Sequence, residues 1–166
     1  VQDYYSGLVT RCSGAAGVFC MSSQDEGPEY PYDVELDCYV CLARQMTEEQ
    51  GIEALLLKPH PLMRRSWVDR VVQHLGEQVP DLRVVVIEDY THFPVEIVMA
   101  PFSLTACATV VSSAVHTLRR IYDLPSYCSE PHLRKLWART PQQQRVVSEF
   151  ISDLRGHQPV PCLSGN

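Results

Sequence analysis

The sequence lacks long apolar runs, is poor in cations and repeats nothing. Its longest weakly polar stretch, Ile97 to Val111, is too short to span a bilayer and contains Pro101. No secretory leader is visible at the start, because Asp3, Tyr4, Tyr5 and Arg11 interrupt any apolar segment. Membrane association is therefore expected only through segments outside this chain. Lys and Arg number 14 against 20 Asp and Glu, a formal charge of −6. That balance argues against a protein held mainly by the phosphates of DNA or RNA, and no nucleic-acid partner is expected. It leaves room for one small phosphate pocket. Internal repeats and low-complexity segments are absent, which excludes solenoids and biased linkers.

What is present is an ordinary globular mixture. Of 166 residues, 45% are hydrophobic and 20% charged, with 8 glycines and 12 prolines. This is enough for one domain with its own core, or about half of a two-domain enzyme. The chain opens Val1-Gln2-Asp3 without Met, as a piece of a longer protein would. Seven cysteines (12, 20, 38, 41, 107, 128 and 162) leave at least one unpaired. Their scatter fits either reduced cores or one to three disulfides in an oxidising lumen.

Texture divides the chain at residue 50. Residues 1–35 are rich in Ser, Gly, Tyr and acidic residues, with turn signals at Gly14, Gly17, Gly27-Pro28 and Pro31. Gly17 to Met21 reads as a buried strand running into a polar loop, Ser22 to Pro31, and Asp37 to Glu49 as a helix. From Gly51 the pattern sharpens. Ala54 to Lys58 is the apolar run of a strand buried on both faces, stopped by Pro59-His60-Pro61. Val68, Val71, Val72 and Leu75 recur at helical spacing within Ser66 to Gln78. Leu82 to Ile87 predicts a strand, Pro94 to Met99 a short helix with Pro in its first turn, and Ala106 to Val111 a further strand. Ser112-Ser113 leads into a helix from Ala114 to about Ile121, and a last helix runs from Pro141 to Leu154. Alternating strands and helices predict an α/β fold, a Rossmann-like parallel sheet flanked by helices. The expected divisions are 1–50, 51–156 for the Rossmann-like domain, and a tail at 157–166.

Ligands of such sheets sit beyond the carboxyl ends of the strands. Three polar groups fall there: Lys58-Pro59-His60-Pro61, Glu88 to Glu96, and Ser112-Ser113. A helix start with two hydroxyls favours an anion, although serine before a helix is also a common N-cap. His60, held between prolines, suits a phosphate donor or general acid, or is a plain turn residue. Glu96 either accepts hydroxyls of a ligand or simply places favourable charge at a helix start. Gln24-Asp25-Glu26-Gly27-Pro28 on its own reads as a surface turn.

Taken together these features resemble the bacterial sialyltransferase and polysialyltransferase families. Those families are described by three short motifs: an acidic-acidic-Gly triplet, His-Pro, and a Ser/Thr pair. Here they occur in that order as Asp25-Glu26-Gly27, His60-Pro61 and Ser112-Ser113, over roughly residues 18–125. The resemblance implies the C-terminal half of a GT-B-like glycosyltransferase, with segment 1–50 carrying the triplet and linking to an absent amino-terminal half. It implies inverting transfer of sialic acid from CMP-sialic acid to a glycan acceptor hydroxyl, with no metal ion and no other cofactor. Glu26, or second Asp25, would be the base that deprotonates the acceptor. His60 would neutralise or protonate the leaving phosphate, with Ser112 and Ser113 on its other side. Lys58, Pro61 and Glu96 would complete donor binding, Glu96 on the ribose hydroxyls. Such an enzyme would work in the Golgi lumen if animal, or on the cytoplasmic face of the inner membrane if bacterial.

Two other functions fit parts of the pattern. A CDP-alcohol phosphotransferase of the teichoic-acid-polymerase type carries a similar Lys-Pro-His-Pro stretch, and a non-catalytic nucleotide-sugar-binding domain would keep the motifs without the chemistry. Cys38-Tyr39-Val40-Cys41 has zinc or redox spacing but no second CxxC or His pair to complete it.

Overall fold

A computed structural model describes residues 14–22, 30–88, 92–138 and 140–155. In chain order they form β1 (Ala16–Cys20), α1 (Tyr32–Gln50), β2 (Ala54–Lys58), α2 (Arg65–Gln78), β3 (Arg83–Val86), α3 (Val95–Met99), β4 (Leu104–Thr109), α4 (Ala114–Tyr122), β5 (Ser126–Tyr127), α5 (Glu130–Trp137) and α6 (Pro141–Arg155). The five strands make one sheet of order β3-β2-β1-β4-β5, every pairing parallel. This is the expected Rossmann-like α/β fold.

Both faces of the sheet are covered, which is why its central strands read as continuous apolar runs. Every residue of β1 and β2 is buried. Alternation sends Phe19, Leu55 and Leu57 into one core, under α1, α2, α5 and α6. Val18, Cys20 and Leu56 face the other, under α3 and α4. Burying each such leucine stabilises the fold by about 1.5–3 kcal/mol. At Gly17 a Cβ would lie 3.0 Å from Ile52 Cδ1 and 3.4 Å from Met46 Sδ, so a bare backbone lets α1 and its exit loop sit close on β1. Gly51 ends α1 in the left-handed region at φ 62°, its N–H donating to the Thr47 carbonyl.

β1 lies between β2 and β4 in the middle of the sheet, and Leu42, Ala43 and Met46 of α1 are fully buried in the core. β1 and α1 therefore pack in the same sheet and core as the strands and helices after Gly51. α1 starts at Tyr32, five residues earlier than expected, because its first turns bury Leu36 and Tyr39 as well. β4 spans Leu104–Thr109 where Ala106 to Val111 was expected. Its ladder stops where β1 stops, at the Cys20–Thr109 pair, so Val110 and Val111 lie beyond the last paired residue. β5 and α5 were not foreseen: two residues carry no period, and α5 is only 8 residues long.

Candidate functional site

Parallel register brings three strand ends to one rim. Cys20 at the end of β1 pairs with Lys58 at the end of β2 and with Thr109 at the end of β4. The strand order reverses between β1 and β4, so the crevice between their carboxyl ends is the topological switch point where such sheets bind ligands. A cleft of about 370 Å³ opens there. Lys58, His60, Pro61, Glu96, Ser112 and Ser113 all line it. They come from three separate loops, and His60 and Ser112 are far apart in sequence.

Lys58 is 7% exposed and, paired with Cys20, shares its strand face with Cys20 and Leu56. Its ammonium lies 3.4 Å from the Pro59 carbonyl. Burial lowers its pKa, while Cys20 and the Glu96 carboxylate pull it back up. The cation is thus held at the cleft floor with limited water to solvate it, a position that favours an arriving anion. Cys20 beside it is raised far above the ordinary thiol range, chiefly by burial and secondly by Cys107, with Lys58 opposing. Such a thiol stays protonated and is no nucleophile.

Glu96 lies in the first turn of α3, half-buried. Five residues are too few for α3 to satisfy its own carbonyls, and the Tyr122 hydroxyl of α4 donates to the Glu96 carbonyl at 2.6 Å. The serine pair departs from simple capping. Ser113 occupies the N-cap position of α4 in helical conformation, with no side-chain cap bond. Ser112 Oγ instead accepts the Ala114 N–H at 3.3 Å. Ser113 is exposed and lines the cleft at the start of a nine-residue helix.

Asp25, Glu26 and Gly27 lie outside the described residues. Met21, the residue after β1, lines the cleft, and its N–H donates to the Lys58 carbonyl at 3.0 Å. Sequence reasoning missed Phe93, an aromatic residue 41% exposed on the rim. It stands in the loop directly before Pro94. Its ring lies 4.6 Å from that of His92.

Cys38 and Cys41 of α1 are free thiols, as are Cys20 of β1 and Cys107 of β4. Among the described residues no group of three His, Cys, Asp or Glu side chains could hold a metal ion, and no helix is long and apolar enough to cross a membrane. Neither a protein-family model nor a curated protein matches this chain.

Proposed function

We propose that this chain is the donor-binding part of an inverting sialyltransferase of GT-B-like type and that the rim cleft holds the CMP portion of CMP-sialic acid. The supporting observation is convergence: loops distant in sequence deliver Lys58, His60, Glu96, Ser112 and Ser113 to one cleft at the switch point. A cation, an imidazole and a hydroxyl at a helix start suit a phosphate, and a carboxylate beside them suits ribose hydroxyls. In this reading the acceptor hydroxyl attacks the anomeric carbon, its proton passes to Glu26 or Asp25, and the bond to the phosphate oxygen breaks. The electron pair of that bond goes to CMP, whose growing charge Lys58, His60 and the serine hydroxyls stabilise.

The test has two arms. Calorimetry on the folded chain is expected to show heat with CMP in preference to CDP. Preference for CDP would replace this reading with the phosphotransferase, and no heat with either would favour a scaffold. In transfer assays with CMP-sialic acid, replacing both Asp25→Asn and Glu26→Gln is expected to lower the rate about 10²–10⁴-fold. Transfer left intact by that pair sinks the sialyltransferase assignment.

A further inference from the structure

The His-Pro turn determines which ring nitrogen of His60 carries the proton. Pro61 and Leu62 are the central residues of a turn closed by the Met63 N–H, which donates to the His60 carbonyl at 2.9 Å. Proline at the first central position presets the backbone angle that such a turn needs. It has no N–H of its own, so the first amide available to the histidine ring is that of Leu62. That amide donates to His60 Nδ1 at 3.2 Å. The arrangement is the imidazole counterpart of an Asx turn, in which an Asp or Asn oxygen accepts the amide two residues on.

A backbone N–H can only donate, so Nδ1 must present its lone pair. The single ring proton then sits on Nε2. We infer that His60 meets its ligand as a neutral Nε2–H hydrogen-bond donor, fixed in that tautomer by the Leu62 amide, and not as an imidazolium or a proton donor. The tautomer is a property of the turn alone; its chemical consequence rests on the donor reading above. There the consequence fits the leaving group. When the bond from the anomeric carbon to the phosphate oxygen breaks, the pair of electrons stays on CMP as a phosphate monoester. The second ionisation of such a group lies near about 6, so at neutral pH it departs as a dianion without taking a proton. Lys58 already supplies a positive charge at the cleft floor. His60 needs only a hydrogen bond that strengthens as charge develops, while the acceptor's proton goes to the carboxylate base.

Two measurements decide this. Long-range ¹⁵N–¹H correlation spectra of the whole chain, with ¹⁵N-labelled histidine, report the protonation of each ring nitrogen. The His60 signals are assigned by their loss in His60→Gln. The expected pattern is an unprotonated Nδ1 and a protonated Nε2 in the free chain above pH 7, kept when CMP is added. Pro61→Ala is expected to loosen the turn and give a mixture of tautomers. A proton on Nδ1, alone or together with one on Nε2 in the CMP complex, overturns the inference. The second measurement is CMP affinity. Glutamine places an N–H near the position of Nε2 but cannot carry a labile charge, so His60→Gln is expected to stay within about threefold of the parent. His60→Ala should bind about 10–100-fold more weakly, the cost of one hydrogen bond to a charged group. His60→Gln binding as poorly as His60→Ala would refute the neutral donor. A parent chain that takes up no CMP would instead sink the donor reading, while the spectrum of the free chain still decides the tautomer.

Discussion

Two cavities among the described residues differ in kind, and the larger of the two is not where the strand ends meet. A groove of about 580 Å³ runs between α1 and α2, lined by Asp37, Arg44, Glu48, His74 and Gln78. The rim cleft is smaller, about 370 Å³. One of its polar groups already ties the two helices together: Arg44 of α1 donates to the Gln78 carbonyl at 2.9 Å, at the end of α2. It is a seam between two packed helices. The cleft takes its polar groups from loops after β2, β3 and β4, which nothing but the parallel sheet brings together. Size follows from how side chains splay along two helices, whereas a site follows from where strand ends meet.

Three substitutions can break or sharpen that contrast. Leu42→Ala, in the fully buried core beneath α1, is expected to have the largest effect, a loss of about 2–5 kcal/mol in denaturant unfolding. The CMP affinity of the molecules that remain folded should be unchanged. A parallel loss of affinity would mean that the thick helical layer shapes the cleft directly.

Lys58→Met should act in opposite directions on stability and binding. Burial lowers the Lys58 pKa below its unfolded value, so the folded state disfavours the charged form. That penalty is complete below the folded pKa and fades as pH rises from there towards the unfolded value near 10.5. Stability of the parent should therefore gain on the alkaline side from this group, and Lys58→Met should lack that gain. At neutral pH the variant should melt a few degrees higher yet bind CMP about tenfold more weakly. Thermal melts across pH, paired with calorimetry, check both halves; tighter CMP binding by the variant would remove Lys58 from the site. The smallest effect is expected from Arg44→Ala in the groove: about 0.5–1.5 kcal/mol of stability and no change in CMP affinity. A clear loss of CMP binding there would make the larger cavity the site after all.

Much of the fold was legible because both-face burial leaves an unmistakable trace. Ala54-Leu55-Leu56-Leu57 has no polar residue to alternate, and the strand appears within a residue of its expected ends. The ends of β4 were not legible, since they depend on where β1 stops and no residue of β4 records that. The central place of β1 was not legible for a related reason. Ser- and Gly-rich sequence around β1 looks like linker, although Gly17 is there to let a helix close on the most central strand. Within the site, the polar loops at the strand ends could be picked out as residue types, but their meeting in one cleft needed the strand order. The serine pair shows the limit most clearly. Serine before a helix fits either a cap or a ligand contact, and the pair divides: Ser112 accepts the N–H of Ala114, the first residue of α4, while Ser113 makes no side-chain cap bond.

The Tyr122 hydroxyl on the Glu96 carbonyl has a geometric consequence. α4 begins at the serine pair and ends at Tyr122, so one rigid rod carries the serine side of the cleft at its head and anchors the Glu96 side with its tail. The separation between these two parts of the cleft lining is thereby set by a ruler of nine residues rather than by loop conformation. Lengthening or shortening that rod by a single residue would turn Tyr122 about 100° around the helix axis and uncouple the two marks on the ruler.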